Sequence, residues 1–374
     1  MSASPEPASF FRVLLASPLV RAALAVLLLG LIWLVAQSEL APGKDAALPQ
    51  AAAPVGAQLQ TEDAYATPTQ SDEPILPIKK PTDLDPKKVA LGNDLFHDPR
   101  LSRDDTISCA FCHSLSTGGV DRLPRSLGVG GQEGEINAPT VYNASLNFRQ
   151  FWDGRAADLA EQASGPVQNP VEMAAHWEDV LKKLSADKAL NARFMDIYGT
   201  PPTLGNVTNA VAEFERSLVT PSRMDRWLLG DAGALTPEEL EGYLLFKQHG
   251  CVACHQGANV GGNLYQRFGI MRDYFAGRND LTHADQGRFN VTGREEDRHV
   301  FKVPSLRNVM LTPPYFHDAS TDSITEAVRQ MGLYQLGVDL PREDVDAIVR
   351  FLNALTGEQL EGRQTPAVVS KEGA

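Results

Sequence analysis

Two stretches of the chain combine a helix-capping signal with apolar residues at helical spacing. Asp85-Pro86 and Thr236-Pro237 each place an N-cap residue before a first-turn proline, and Glu239 completes a capping box in the second stretch. The apolar residues that follow are Val89, Leu91, Leu95 and Phe96 in the first stretch, and Leu240, Leu244, Leu245 and Phe246 in the second. Both stretches carry Gly-x-x-Leu-Phe, so they are predicted to be corresponding helices of a repeat.

The repeat continues along the chain. Residues 139–143 (Pro-Thr-Val-Tyr-Asn) match residues 304–308 (Pro-Ser-Leu-Arg-Asn), and nine residues past each Asn comes Trp152 or His317. Each half ends in the pattern of an amphipathic helix: Val207, Val211, Phe214 and Leu218 in the first, and Val345, Ile348, Phe351, Leu352 and Leu355 in the second. Strand patterns are scarce. We therefore predict an all-α protein with two tandem domains of the same kind.

The N-terminal region has a different composition. An apolar run at residues 22–36 follows Arg12 and Arg21, which is typical of an export signal whose N-terminus stays inside. The run predicts a membrane anchor, although Ala36-Gln37-Ser38 leaves a cleaved signal open. Residues 40–75 are rich in Ala, Pro, Gln and Thr, which predicts a disordered linker. The predicted division is a signal-anchor at 1–39, a linker at 40–75, and domains at 76–230 and 231–374.

The motif Cys-x-x-Cys-His occurs once in each predicted domain, at residues 109–113 and 251–255. It is the attachment site of a c-type haem, in which two thiols form thioethers with the porphyrin and the His ligates the iron. A structural zinc site is the alternative, but zinc ribbons bring their cysteine pairs within roughly 15–20 residues. The sequence therefore predicts two cytochrome c-like domains, with covalent haem c held by Cys109, Cys112 and His113 and by Cys251, Cys254 and His255.

The net charge and the haem motifs indicate which partners and which cellular location suit the protein. The net charge of −13 argues against a nucleic-acid partner and is suited to steering a basic electron-donor protein. All four cysteines belong to the haem motifs, so no disulfide indicates the compartment. Covalent haem attachment is normally completed outside the cytoplasm. Together with the N-terminal apolar run, it predicts a periplasmic protein anchored to the inner membrane.

A two-haem enzyme needs one iron with two protein ligands and one with an open face. In the second half Met331 is a candidate second ligand, and Met271 and Met310 compete with it. A helical Met is more often a core filler, so its spacing alone leaves ligation open. The first half has no Met at the place that matches Met331.

The matching segment of the first half, residues 161–173, contains a glycine and two prolines and is predicted to be a loop. Glu172 could act there as a general acid–base that moves a proton between the oxygens of bound peroxide, and Gln162 could orient the peroxide. A helix-capping or surface role is the alternative for both. Met173 or His176 could instead ligate the iron and close the first haem.

From about residue 91 to residue 357 the chain resembles the bacterial di-haem cytochrome c peroxidases. The resemblance rests on both haem motifs and on further stretches that include Asn137-Ala138-Pro139-Thr140, Phe151-Trp152-Asp153-Gly154, Asn169-Pro170-Val171-Glu172-Met173, Phe214-Glu215-Arg216, Phe301-Lys302-Val303-Pro304 and Phe316-His317-Asp318. It implies that the first haem reduces hydrogen peroxide to water. The second haem would receive electrons from a small cytochrome c or a cupredoxin.

The resemblance also implies roles for individual residues. Gln162 and Glu172 would be the active-site pair, and Trp152 would relay electrons between the haems. Met331, fourteen residues after His317, would be the second ligand of the second haem.

A calcium ion is implied as well, bound by the side chain of Asn137 and the backbone carbonyls of Thr312 and Pro314. In the family the C-terminal tail packs back on the first domain. A homodimer is left open.

One stretch departs from the family pattern. Residues 126–130 read Ser-Leu-Gly-Val-Gly where many members have Ser-x-Gly-His-Gly, whose His blocks the first haem at rest. Val129 cannot ligate iron, so we predict a first haem that is open to peroxide in the fully oxidised protein. The alternatives are a MauG-type enzyme, which oxidises tryptophan in a partner protein, and a pure electron-transfer cytochrome with two closed haems. Because MauG-type enzymes use Tyr as the second ligand of their C-terminal haem, Met331 and Glu172 favour the peroxidase.

Overall fold

A computed structural model describes residues 73–361 of the chain. The apolar run at 22–36, the predicted signal-anchor and the linker as far as residue 72 lie outside the described residues. Within the described part, no helix is both long enough and apolar enough to span a bilayer.

The described chain is built mainly from helices joined by irregular segments. The α-helices are α1 (Pro86–Phe96), α2 (Cys109–Cys112), α3 (Leu159–Gln168), α4 (Trp177–Ala186), α5 (Lys188–Tyr198), α6 (Leu204–Ser217), α7 (Arg223–Leu228), α8 (Pro237–Gln248), α9 (Phe289–Thr292), α10 (Ile324–Met331) and α11 (Arg342–Asn353). Single 3₁₀ turns occur at Pro99–Leu101, Leu115–Thr117, Val129–Gly131, Ala144–Leu146, Cys251–Ala253, Ala284–Gln286, Glu295–Asp297, Val309–Leu311 and Glu358–Leu360, and a π-helical turn at Gly332–Leu336 follows α10.

The predicted caps are confirmed. The Asp85 carboxylate accepts hydrogen bonds from the backbone N–H groups of Lys87 and Lys88 at the start of α1. At the start of α8, the Thr236 side chain accepts from the Glu239 N–H, and the Glu239 carboxylate accepts from the Thr236 N–H. Each cap satisfies backbone donors that the first helical turn leaves without partners.

The two halves pack their first and last helices in the same way. A Cβ atom on Gly92 of α1 would lie 1.9 Å from the Ala210 carbonyl oxygen of α6, and one on Gly242 of α8 would lie 2.0 Å from that of Ala347 in α11. Only glycine allows so close an approach of two backbones. Each crossing lies in its own apolar core, the first formed by residues from Leu91 to Phe214 and the second mainly by residues from Met224 to Leu355.

Backbone conformation also repeats between the halves. Asn143 and Asn308 both have φ of 60°, and Phe151 and Phe316 have φ of 68° and 70°. Isolated bridges recur at equivalent places, between residues 150 and 156 and between residues 315 and 321. The two halves therefore share local backbone geometry at positions that the sequence repeat makes equivalent.

The prediction of an all-α protein needs one correction. Strands β1 (Tyr265–Arg267) and β2 (Val300–Lys302) pair antiparallel, with Tyr265 opposite Lys302. Each strand has only three residues, too few for an alternating pattern to be recognised in the sequence. Between residues 73 and 361 the fold is helix-rich, with one short β-ribbon.

The predicted loop at residues 161–173 is also corrected, because most of it belongs to α3. Asp158 caps that helix by accepting from the Glu161 N–H at 2.9 Å, and Leu159 and Val167 bury its inner face. Pro166 lies near the C-terminal end, where its missing N–H costs a single helical hydrogen bond. The irregular segment begins only at Asn169.

Both ends of the described chain pack onto the second core or across to the first half. Residues 73–75, which the sequence places in the linker, are ordered, and Ile75 is fully buried in the second core. Near the other end, Leu360 is buried in a small cluster with Tyr142 of the first half, and the Glu358 N–H donates to the Pro221 carbonyl.

Candidate active site

The predicted ligands of the second haem line one cavity of about 420 Å³, which we call the second cavity because it contains the second haem motif. Its walls include Cys251, Cys254, His255 and Met331, together with Trp152 and His317. The lining is largely apolar, with contributions from Phe246, Phe268, Phe301, Leu340, Ile348 and Leu352. A flat apolar cofactor with an iron between His and Met is what this donor set suits.

The two motif histidines are held in the same way. The Nδ1 atom of His113 lies 3.3 Å from the Gly119 carbonyl oxygen, and that of His255 lies 3.3 Å from the Val260 carbonyl oxygen. Burial lowers the pKa of His113 and lowers that of His255 to about 4, so both rings are neutral. A neutral imidazole whose Nδ1–H donates to a carbonyl presents Nε2 to a metal.

The motif cysteines do not form a zinc site. Among residues 73–361, the one group of clustered metal-ligating side chains is Asp285, His317 and Asp318, which contains no cysteine. The two motifs are separate, as two haem sites require.

The three methionine candidates of the second half occupy different environments. Met331 ends α10 and lines the cavity with His255. Met271 is 60% exposed, and Met310 packs against the second core. Met331 is therefore the methionine placed beside the predicted second haem.

Glu172 lies beside the first haem motif. Its Oε1 accepts a hydrogen bond of 2.6 Å from the Asn169 side-chain amide. Burial raises the pKa of Glu172, and the Asn169 hydrogen bond and the charge of Arg155 oppose the shift only in part. The next residue, Met173, belongs to the first core, against which Cys109 and Ala110 of the haem motif pack, so the Glu172 segment and the motif adjoin the same core.

Gln162 lies on α3 and is half-buried. Its backbone N–H donates to the Asp158 carbonyl, while its side-chain amide makes no hydrogen bond within residues 73–361. One turn further along the helix, Gly165 lies against the Phe151 ring, since a Cβ atom on this glycine would be 3.5 Å from the ring. The Gln162 amide is thus available to a ligand, although the described contacts do not by themselves join it to Glu172.

The segment that departs from the family pattern touches the Glu172 loop directly. The Val129 N–H donates to the Glu172 carbonyl at 2.7 Å, and a Cβ on Gly128 would lie 2.4 Å from the same oxygen. Val129 is 1% exposed and belongs to the first core. The other candidate blocking ligands differ in placement: Met173 is buried in the same core, and His176 is exposed at the start of α4.

Trp152 lies where the two halves meet. It lines the second cavity, and its indole N–H donates to the Asn137 carbonyl at 2.9 Å. The adjacent Phe151 stacks under the Arg155 guanidinium and contacts α3 at Gly165. Consecutive residues of one segment therefore reach both the second cavity and the helix that carries Gln162.

The three residues implied in calcium binding, Asn137, Thr312 and Pro314, line the same cavity. The Asn137 amide nitrogen donates to the Leu123 carbonyl, which leaves its side-chain oxygen as an acceptor. Oxygen donors suit calcium, and the remaining positions of its shell would be filled by water. The residues present are compatible with the ion.

Two features of the cavity wall were not predicted from sequence. His317 Nε2 lies 2.9 Å from a carboxylate oxygen of Asp285, and both side chains are buried. Lys302 is 7% exposed and also lines the cavity. Asp285 carries no motif that would have revealed it, whereas Lys302 stands at the repeat position equivalent to Asn137 and could have been found by comparing the halves.

Comparison with known proteins gives a consistent result. Residues 86–233 match the family model of the di-haem cytochrome c peroxidases. The chain is 49% identical over 304 residues to a cytochrome c peroxidase of Escherichia coli, covering 80% of this chain and 65% of that protein. It is 48% identical over 291 residues to the cytochrome c551 peroxidase of Nitrosomonas europaea, covering 77% of this chain and 86% of that one.

More distant similarity extends to MauG proteins. The chain is 37% identical over 257 residues to the methylamine utilization protein MauG of Methylorubrum extorquens, covering 68% of this chain and 70% of that protein. Among solved structures, a MauG-like protein associated with microbial copper homeostasis superimposes with a TM-score of 0.67 at 25% identity, covering 80% of this chain and 97% of that one.

Proposed function

The chain belongs to the di-haem cytochrome c peroxidase family, and we propose that it reduces hydrogen peroxide to water with electrons from a small c-type cytochrome or a cupredoxin. One peroxide, two electrons and two protons give two waters. The observation that carries the proposal is the partly buried Glu172, held by Asn169 beside the first haem motif. A carboxyl in that position can move a proton during cleavage of the peroxide O–O bond.

Two haem c groups would be held by the six motif residues, and their irons supply the binding of peroxide and the transfer of electrons. Cys109 and Cys112 fix the first porphyrin, and His113 presents its Nε2 from one face. In the second half, His255 and Met331 lie on the walls of one cavity, and they would be the two protein ligands of the second iron. The second site therefore passes electrons, and the first is the site of chemistry.

At the first site, Glu172 would take a proton from one oxygen of the peroxide and return it to the other oxygen, which leaves as water. Burial helps this role because a raised pKa brings the carboxyl closer to the pH at which it must both accept and donate. The Asn169 amide fixes one carboxylate oxygen. The free amide of Gln162 orients the peroxide.

Electrons reach the first site through Trp152. Its ring lines the second cavity, and its hydrogen bond to the Asn137 carbonyl fixes the indole between the halves. Phe151, the residue before it in the chain, contacts α3. An aromatic side chain in this position would divide the electron transfer between the haems into two shorter steps.

On this proposal the first haem would have an open coordination position in the resting protein. The position that carries a blocking His in many members of the family is Val129, which has no atom able to ligate iron. Its backbone is hydrogen-bonded to Glu172, and its side chain belongs to the first core. Activity then does not require prior reduction of the second haem.

The MauG-type alternative is disfavoured by the second iron site. Met331 lies on the cavity wall, whereas a MauG-type enzyme uses a tyrosine as the second ligand of its C-terminal haem. The similarity to MauG proteins is also lower than that to the peroxidases, at 37% against 49% and 48% identity.

Further parts of the proposal concern location and assembly. The family resemblance supports a division into domains at 76–230 and 231–374, a homodimer, and a calcium ion at Asn137, Thr312 and Pro314. The N-terminal sequence supports a periplasmic location and an inner-membrane anchor at 1–39. The arrangement of Asn137, Thr312 and Pro314 around one cavity supports the calcium site.

The test is to mix the two-haem protein with peroxide under stopped flow and then supply a reduced cytochrome c or cupredoxin. A peroxidase consumes two reduced donors per peroxide. A pure electron-transfer cytochrome, with both irons closed, leaves its spectrum unchanged by peroxide and rejects the proposal.

A further inference from the structure

The charged residues on the wall of the second cavity are all cations. Lys302 and Arg307 line the cavity, and among residues 73–361 no Asp or Glu belongs to the lining. The two histidines on the wall are already engaged, because His255 faces the Val260 carbonyl and His317 faces the Asp285 carboxylate. The cavity is therefore positive before any cofactor enters it.

The two cations differ in whether the protein neutralises them. Arg307 makes two hydrogen bonds of 2.6 and 2.8 Å to the carboxylate of Asp225, and both side chains are buried. The ammonium group of Lys302 makes no hydrogen bond or ion pair with any residue between 73 and 361. Burial without a partner lowers the pKa of Lys302 to about 8.

An unpaired ammonium group that is buried costs several kcal/mol, so native proteins normally supply it with an anion. The haem c predicted for this cavity carries two propionate carboxylates. We propose that Lys302 forms an ion pair with a propionate of the haem in the second cavity, and that this added positive charge raises the reduction potential of that haem. The inference rests on the proposed function only in assigning haem c to this cavity.

The backbone of Lys302 is bonded to the segment of the proposed electron relay. The Lys302 N–H donates to the Trp152 carbonyl at 2.7 Å, so the lysine stands directly beside the proposed electron relay. Cys251 and Cys254 hold the vinyl-derived edge of the porphyrin, and the propionates project from a different edge. A propionate paired with Lys302 would lie on the part of the cavity wall that also carries Trp152.

The repeat provides an internal comparison. Lys302 stands at the position equivalent to Asn137, which is neutral and whose carbonyl accepts the Trp152 indole N–H. The duplicated scaffold thus has a buried cation beside the second haem and none at the equivalent place of the first. A positive charge disfavours the oxidised haem, so this difference helps make the second haem the easier one to reduce.

The test measures the midpoint potentials of both haems by spectroelectrochemistry, without peroxide. Lys302→Met removes the charge and keeps the chain length, and we expect a lower potential for the Met331-ligated haem. A shift of about tenfold in its reduction equilibrium, about 59 mV for one electron, is expected. Lys302→Arg should keep the potential near that of the wild type. Lys182→Met, which removes an exposed lysine on α4, controls for net charge and should change neither haem.

Haem content and circular dichroism establish that each variant carries both cofactors in a folded chain. If Lys302→Met loses a haem, Lys302→Gln replaces it in the test, because it retains a polar side chain. A potential that is unchanged in the folded, charge-free variant overturns the proposal. Since the readout needs no turnover, a wild-type protein that fails to reduce peroxide rejects the proposed function and leaves this test intact.

Discussion

The rings of Trp152 and His317, which occupy equivalent positions of the repeat, face each other with their centroids 6.3 Å apart and their planes at 68°. Their backbones are joined to the opposite half in a reciprocal way: the Asn137 N–H donates to the His317 carbonyl, and the Lys302 N–H donates to the Trp152 carbonyl. The two halves therefore meet through an exchange of equivalent hydrogen bonds. The side chains at these equivalent positions differ. In the proposal, this difference helps to make the first haem the site of peroxide reduction and the second the site of electron entry.

Replacing Trp152 by Phe should slow electron transfer between the haems. The variant keeps an aromatic ring in the cavity wall but loses the indole and its hydrogen bond to the Asn137 carbonyl. We expect transfer from the reduced second haem to the first to become at least about tenfold slower, with both potentials unchanged. Rapid mixing of the half-reduced protein with peroxide measures the rate. An unaltered rate would remove Trp152 from the pathway.

Glu172→Gln should abolish most peroxidase turnover, because the amide cannot carry the proton. The expected loss is about 10²–10⁴-fold, the usual contribution of general acid–base catalysis. Steady-state oxidation of a reduced donor by peroxide measures it. Glu178→Gln, at an exposed carboxylate on α4, is the matched control and should be near wild type. Near-normal turnover in Glu172→Gln, with both haems present, would reject the role.

The pH profile provides a second readout of Glu172. Burial raises its pKa above the ordinary value of 4.5, and the carboxylate must be ionised to accept the first proton. Turnover should therefore fall on the acid side with an apparent pKa above 4.5, and the residual activity of Glu172→Gln should lack that limb. A limb that persists in the variant would assign it to another group.

The sequence predicts best those features that local chemistry determines. The caps at Asp85 and Thr236 and the haem motifs are contiguous signals, and both caps are found where expected. Helix α3 was missed because Gly165 and Pro166 are poor helix formers, and the Asp158 cap and buried Val167 override that preference. The contact of His317 Nε2 with the Asp285 carboxylate joins residues far apart in the chain, so only the tertiary structure shows it.

The buried Glu215 should make stability depend on pH. This residue is 4% exposed, its Oε2 has no hydrogen-bond partner within residues 73–361, and burial raises its pKa to about 8. The folded state therefore holds a proton that the unfolded state releases above about pH 4.5. Stability should fall as the pH rises from about 4.5 to about 8. Urea unfolding of the two-haem protein across this range measures the slope, and Glu215→Gln should flatten it; an identical slope would show that Glu215 does not titrate.

The ion pair of Asp225 with Arg307 should be essential for stability. Both side chains are buried, and the Arg307 guanidinium bonds both carboxylate oxygens. Asp225→Asn leaves a buried arginine without its counter-charge, and we expect a loss of about 3–5 kcal/mol in the free energy of unfolding. Asp179→Asn, which breaks an exposed pair with Lys182, should cost less than about 1 kcal/mol. Equal effects of the two changes in urea unfolding would contradict this account.

The resting state of the first haem is the last prediction. Val129 stands where many members of the family have a blocking His, and it has no ligating atom. Of the other candidate ligands, Met173 is fixed in the first core by hydrogen bonds of its backbone to Pro166 and Arg103, and His176 is exposed. The EPR spectrum of the fully oxidised protein should therefore contain a high-spin ferric signal from the first haem and a low-spin signal from the second.

Peroxide added to the same oxidised sample should react at once, because no ligand has to leave the first iron. Pre-reducing the second haem should then leave the rate of the first reaction with peroxide unchanged. Two low-spin, six-coordinate signals, with peroxide reacting only after reduction, would mean that a side chain other than one at position 129 closes the first haem. Met173→Leu and His176→Gln would then identify it, because only the variant that loses the ligand would restore the high-spin signal.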